Sequence, residues 1–289
     1  MTHLFSFGLG YSAGVIASRL SGRDWSITGT STTENGAERI AKLGFSGCVF
    51  DGKSKAPGVS AALKSATHVL LSIPPDDAGD PALRIYGDDI AANSNLTWIG
   101  YFSTVGVYGD TGGGWVSEDT EARPASERGK RRLDAENAWL DLGQRTGKAV
   151  MIFRLPGIYG PGRSAIDDLR TGTARRIIKL GQVFNRIHVH DIASAVEAGI
   201  ANPSAGHVFN VTDDEPGPPQ DVVAYAANLL GLPNPPDLDF ATANLSPMAR
   251  SFYSESKRVS NARLKQHLGV KLTYPSYREG LQAILRHAG

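Results

Sequence analysis

The chain has 289 residues, a formal net charge of +1, 20% charged residues and one cysteine, Cys48. That length allows a large core, as one enlarged domain or two unequal lobes, and the interspersed charges argue against a nucleic-acid surface or a polybasic membrane anchor. One cysteine excludes an internal disulfide, no basic leader with a long apolar stretch precedes Leu4, and no apolar run approaches the ~20 residues of a membrane span. The expectation is a soluble, cytoplasmic protein.

In chain order, Leu4–Phe7, Trp25–Thr30, Gly47–Phe50, His68–Ile73, Leu96–Phe102 and Ala149–Phe153 read as strands. Several are apolar on successive residues, as in strands covered on both faces. Between the first two, Ala13, Ile16, Ala17 and Leu20 recur at helical spacing and give one buried helix face. Strand and helix alternating in this way predict an α/β fold: a Rossmann-like, doubly wound parallel sheet with right-handed crossovers. After Arg154 the pattern changes. Pro156, Gly157, Gly160, Pro161 and Gly162 make a rigid loop, and 187–189, a helix over 192–201 and 207–211 read as a return to the sheet. The expected division is a dinucleotide-binding domain over 1–163, with 187–211 returning to its sheet, and a smaller capping lobe drawn from 164–289.

Gly8-Leu9-Gly10-Tyr11-Ser12-Ala13 spells Gly-x-Gly-x-x-Ala between the first strand and the first helix. The first glycine permits the tight turn, the second lets the backbone approach a pyrophosphate, and Ala13 keeps helix and strand close. The helix start adds N–H groups and a favourable dipole for the anion. At the end of the second strand, Thr30, Ser31 and Thr32 stand where NAD-binding folds place an acid, and no carboxylate appears before Glu34. Hydroxyls with Arg39 on the next helix suit a 2′-phosphate, so NADP is expected ahead of NAD. Asp51 and Gly52, after the third strand, are candidates for the adenine side. Ser72, Ile73 and Pro74, ending the fourth, would border the phosphates and inner ribose.

The motifs taken together resemble the extended short-chain dehydrogenase/reductases, the NAD-dependent epimerase/dehydratase-like set. Ser103-Thr104-Val105-Gly106-Val107-Tyr108-Gly109 is similar to their "Ser/Thr, then Val-Tyr-Gly" landmark. Arg154-Leu155-Pro156-Gly157-Ile158-Tyr159-Gly160-Pro161-Gly162 resembles their nicotinamide-side loop, which makes Pro156, Gly157 and Ile158 cofactor candidates. Arg186-Ile187-His188-Val189-His190-Asp191-Ile192-Ala193 and Phe209-Asn210-Val211 resemble two further passages. The resemblance implies a Rossmann-like domain with a small substrate-capping lobe.

It also implies a helix carrying Tyr-x-x-x-Lys, and here that helix reads Arg128 where the Tyr belongs and Arg132 where the Lys belongs. In the family the Tyr exchanges a proton with the substrate oxygen, the Lys lowers its pKa and holds the ribose, and the Ser/Thr orients the reacting oxygen. Thr104 keeps the last role. Arg132 retains donors for ribose hydroxyls, but Arg128 cannot replace a Tyr, since a guanidinium does not release a proton near neutral pH. By spacing, Arg128, Arg132, Ala135 and Trp139 share a helix face, so both arginines turn to the cofactor or both to water. Tyr108 is the leading substitute proton donor. Tyr253-Ser254-Glu255-Ser256-Lys257 repeats the motif far downstream and reads as a chance match.

His188, His190 and Asp191 lack further ligands, so no metal site is read, and no Gly-x-Ser-x-Gly elbow points to a hydrolase. Phe184 stands where sugar-nucleotide epimerases often carry a phosphate-holding Arg, which counts against a nucleotide-sugar substrate. The reading is an atypical member of the set, an NAD(P)-dependent oxidoreductase of a small carbonyl or hydroxyl compound. Its rival is a catalytically silent dinucleotide-binding sensor or regulator. Homodimers are common in the family, although the helix after Arg128 implies no second interface beyond its one buried face.

Overall fold

A computed structural model describes residues 2–203 and 206–287. The first half alternates without a break: β1 (Thr2–Phe7), α1 (Tyr11–Ser21), β2 (Trp25–Ser31), α2 (Glu34–Lys42), β3 (Ser46–Val49), α3 (Pro57–Ser65), β4 (His68–Leu71), α4 (Pro81–Ala92) and β5 (Trp98–Thr104). Then follow β6 (Trp115–Val116), α5 (Glu127–Thr146), β7 (Ala149–Leu155), β8 (Gly157–Tyr159), α6 (Ala165–Arg170), β9 (Arg176–Ile178), β10 (Arg186–His188) and α7 (Val189–Ala201). The last elements are β11 (His207–Asn210), α8 (Pro219–Leu229), β12 (Asp237–Asp239), α9 (Pro247–Phe252), β13 (Arg258–Val259), α10 (Ala262–Leu268) and α11 (Tyr277–His287).

The chain forms two compact units. The first takes Met1–Val107, Ser126–Arg154 and Ala193–Phe209; the second takes Tyr108–Ala125, Leu155–Ile192 and Asn210–Gly289. The first is built on a seven-stranded sheet in the order β11-β7-β5-β4-β1-β2-β3. Its β1–β2, β1–β4, β2–β3 and β4–β5 pairs are all parallel. Such a sheet is covered on both faces, which is why Leu4, Phe5 and Phe7 are all fully buried on one strand. Phe5, Phe7, Phe50, Tyr86, Tyr101 and Trp139 dominate the packing on one face. Each large side chain buried there contributes roughly 1.5–3 kcal/mol.

The passage 187–189, expected to return to this sheet, does not. β10 instead pairs in parallel with β8, Ile187 opposite Ile158, in a separate two-stranded ladder of the second unit. Pro156 lacks an N–H and ends the β7 ladder, so the chain peels off and offers Gly157–Tyr159 as a new edge. The expected return at 207–211 does occur, as the edge strand β11. In the second unit, β6 pairs with β13 and β9 with β12. A smaller core there joins Ile166, Ala226, Tyr277, Leu281 and Ile284.

α5 starts at Ser126, whose hydroxyl caps the Gly129 amide, and stops at Gly147 in the left-handed region (φ 71°). Its inner face carries an acid that needs a partner. The Glu136 side chain is 1% exposed and takes a forked pair of bonds from Arg154 on β7, at 3.0 Å (Nε to Oε1) and 2.7 Å (Nη2 to Oε2). The Ser103 hydroxyl on β5 donates to the same carboxylate. One carboxylate thereby fixes α5 to two neighbouring strands. Removing one member of such a buried pair leaves the other charge uncompensated, so Glu136→Ala is expected to lower unfolding stability by about 3–5 kcal/mol in urea titrations. Lys130→Ala, breaking an exposed pair with Glu127, serves as the control and is expected to change it by under about 1 kcal/mol. Equal small losses for both would contradict this account.

Candidate functional site

In the first unit the strand order reverses at β1, between β2 and β4. Open α/β sheets form their ligand crevice at such a switch point, beyond the strands' carboxyl ends. The chain leaves β1 through Gly8, whose φ is +80°. That left-handed backbone favours glycine, and a Cβ there would lie 2.7 Å from Cγ2 of Ile73. The turn is braced from β2: the Gly8 amide donates to Oγ1 of Thr30 at 2.8 Å, and the Leu9 amide to the Thr30 carbonyl at 3.0 Å.

Gly10 differs. Its φ is −86°, open to any residue, and a Cβ there would meet nothing within 4 Å. Nothing inside the protein requires glycine at this position. It is also the N-cap of α1, makes no side-chain cap bond, and is followed by a first turn without acidic residues. The first amides of a helix lack intrahelical acceptors, so the start of α1 offers N–H donors and a positive dipole end beside Gly10. Ala13, fully buried, lets α1 sit close on the sheet. These features fit a dinucleotide diphosphate.

The residues bordering this turn divide into braces and exposed groups. Thr30 is 2% exposed and its hydroxyl already accepts from Gly8, so it supports the turn and is not a contact for a 2′-phosphate. Ser31 is half-buried, Thr32 is exposed, and Arg39 is exposed on α2. Thr33 caps α2 by accepting from the Gly36 amide at 3.1 Å. A Cβ on Gly36 would lie 1.8 Å from the Ser31 hydroxyl oxygen, so α2 comes that near only because residue 36 is glycine. Asp51 is exposed and accepts from the Lys53 amide at 2.9 Å. The Gly52 carbonyl takes Arg84, which also forks onto Asp76 at 2.9 and 3.0 Å. Ser72 and Ile73 are half-buried beside Gly8, and Pro74 is exposed.

The four catalytic candidates are not alike. Thr104 ends β5, half-buried, and its hydroxyl is oriented by the Gly106 amide at 3.1 Å. Arg128 and Arg132, expected to face the same way, part company. Arg128 is exposed in the first turn of α5. Arg132, one turn deeper, bends inward and donates from Nη1 to the Phe102 carbonyl at 2.6 Å and the Tyr101 hydroxyl at 3.2 Å. Tyr108, in the second unit, is 2% exposed and donates to Oδ1 of Asn210 at 2.8 Å. Its hydroxyl hydrogen is thus engaged on Asn210.

A residue that no sequence motif marks lies near Arg132. Asp80 caps α4 through the Leu83 amide at 2.9 Å and is 5% exposed. Burial raises its carboxyl pKa, against the Leu83 amide and the Arg132 cation, which act to lower it.

In the second unit, Gly157 is exposed, while Pro156 and Ile158 are half-buried. Gly157 and Ile158 line a cavity of about 410 Å³ together with Tyr159. The Tyr159 hydroxyl donates to the Ser276 carbonyl at 3.2 Å, and burial raises its pKa further. His188 is buried, and burial with the neighbouring His190 lowers its pKa to about 3, so it stays neutral. No cluster of three potential metal ligands occurs among the described residues. Tyr253 follows the end of α9 and Lys257 lies in the irregular stretch before β13, bonded to Glu255. The two do not share a helix face, as Tyr-x-x-x-Lys requires.

Two substitutions separate brace from cradle. Gly8→Ala is expected to lose about 1–3 kcal/mol from left-handed strain and crowding of Ile73. Gly10→Ala is expected to melt within about 0.5 kcal/mol of the parent. Tyr108→Phe strands the buried Asn210 carbonyl and should lose about 1–3 kcal/mol in the same denaturation assay, whereas no loss would return that hydroxyl to consideration as a donor.

No protein-family model matches the chain. Among curated proteins it is similar to Protein YeeZ of Escherichia coli (strain K12), 28% identical over 280 residues covering 93% of this chain and 94% of that one. It is also similar to a 3-diazoavenalumate denitrifying reductase of Streptomyces sp, 32% identical over 146 residues covering 46% of each. Of the solved structures, dTDP-glucose 4,6-dehydratase from Bacillus anthracis str. Ames, in complex with NAD, superposes with a TM-score of 0.79 at 16% identity, over 99% of this chain and 96% of the other. That likeness shows a common fold. A functionally unknown conserved protein from Silicibacter pomeroyi DSS is 48% identical, with a TM-score of 0.92 over 99% of both chains. The chain belongs to the family of that Silicibacter protein, with the Rossmann-like fold of the epimerases and dehydratases.

Proposed function

We propose that the first unit binds NAD(P), with NADP preferred, and that the protein is an oxidoreductase of a small carbonyl or hydroxyl compound. The observation that carries this reading is Gly10: a glycine that the fold does not need, at the start of a helix that offers N–H donors beside it. The Bacillus anthracis dehydratase of similar fold contains NAD, and the Streptomyces relative is a reductase. In this reading the diphosphate lies on the amides of Tyr11, Ser12 and Ala13, with Ile73 and Pro74 beside it. Asp51 and Gly52 flank the adenine, and Ser72 belongs to the nicotinamide half. Ser31, Thr32 and Arg39 receive the 2′-phosphate, since no carboxylate opposes it before Glu34.

The dinucleotide supplies or accepts hydride when bound. Thr104 orients the reacting oxygen, its hydroxyl hydrogen left over once the oxygen accepts from Gly106. Arg132 holds the end of β5 through the Phe102 carbonyl and keeps a permanent positive charge there. In this reading Arg128, exposed in the first turn of α5, contacts an anionic group. Because Tyr108 is buried on Asn210 and neither arginine gives up a proton, water supplies or takes the proton on the substrate oxygen. The same observation favours a second reading, a dinucleotide-binding sensor without turnover.

Titration calorimetry should find NADPH bound more tightly than NADH by roughly tenfold, the effect of one charge-assisted contact. Arg39→Ala should erase that difference and leave NADH unchanged; equal affinities in the parent protein would contradict the NADP preference. Single-turnover oxidation of bound NADPH with a panel of aldehydes and ketones separates the two readings. Consumption with any member supports the oxidoreductase, and tight binding without consumption supports the sensor.

A further inference from the structure

The cavity of the second unit, about 410 Å³, falls within the size range of small-molecule sites. Phe184, Val222, Tyr277 and Leu281 give it an apolar wall, and Arg186 lines it as well. Arg186 is 9% exposed, and its bonds go to neutral acceptors: Nη1 to the Phe184 carbonyl and Nη2 to the Gly217 carbonyl, each at 3.2 Å. Its guanidinium stands 5.6 Å from the centre of the Tyr277 ring. It belongs to no ion pair among the described residues.

Buried charges are ordinarily paired, and a guanidinium carries five N–H donors, of which two carbonyls use only part. The nearby acid does not supply the missing partner. Asp213 is 2% exposed with Oδ2 unpartnered and forms no ion pair with Arg186; burial raises its carboxyl pKa, while Arg186 acts to lower it. The acids that do line the cavity are engaged or solvated. Asp167 takes the Ser164 hydroxyl at 2.6 Å, and Asp168 is exposed. Those two carboxylates disfavour a ligand with several negative charges.

We propose that this cavity takes a small monocarboxylate with an apolar tail, its carboxylate paired with Arg186. Two oxygens in a plane match the guanidinium fork, and the ring and aliphatic wall match the tail. The inference goes beyond the oxidoreductase reading: it names a binding site of the second unit by itself. Binding itself is measured without nucleotide.

The test is calorimetry of the full chain with 3-phenylpropionate, with its neutral isostere 3-phenylpropanamide, with inorganic phosphate and with UDP. The acid is expected to bind at least about tenfold more tightly than the amide, the usual effect of one charged hydrogen-bonded contact. Arg186→Gln should abolish that preference. Should this variant not fold, Val222→Trp, which fills the cavity from α8, should abolish acid binding instead. Absence of heat with the acid, equal affinity for acid and amide, preference for phosphate or UDP, or undiminished acid binding in the substituted protein would overturn the proposal. NADPH titrated into the same preparation reports on the first unit separately, so the two readings fail independently.

Discussion

The left-handed backbone at Gly8, pinned by the hydroxyl and carbonyl of Thr30, is the constraint from which the candidate site follows. It turns the chain sharply out of β1 at the switch point and starts α1 immediately afterwards. Two glycines of one motif thereby divide the work: Gly8 serves the backbone, and Gly10 leaves space. Only the second points beyond the protein itself.

α5 gives the other half of the picture. Its anchorage is intact, since Glu136 binds Arg154 and Ser103 and fixes the helix to β5 and β7. Along the same helix, Arg132 bends onto the Phe102 carbonyl, and Arg128 is exposed. Resemblance of fold says little about how a proton is handled.

Much of the fold was legible in the sequence because the strands of a two-sided sheet are written as continuous apolar runs. Five of the six expected strands of the first half fall on β1 to β5, displaced at their ends by a residue or two, and the sixth falls on β7. β10 was misread because a three-residue strand carries no period, and its partner exists only once Pro156 has ended the β7 ladder. Within the site, the positions of Gly8, Gly10 and Ala13 were legible, being matters of backbone. The roles of Thr30 and Tyr108 were not. Sequence shows a hydroxyl, and only packing tells which hydroxyls are already occupied. The arginines could not be separated by spacing alone, since residues four apart share a face while the first turn of a helix is still open to solvent. Arg186 was visible as a cation, but its lack of a paired carboxylate is a property of three dimensions.

The most direct test compares NADPH binding by calorimetry in the parent chain and in Gly10→Ala, with both melted in the same buffer. A methyl group in the open cradle should abolish measurable binding and leave the melting temperature where it was. Full binding by Gly10→Ala would contradict the account, because the space that glycine keeps clear would then have no occupant.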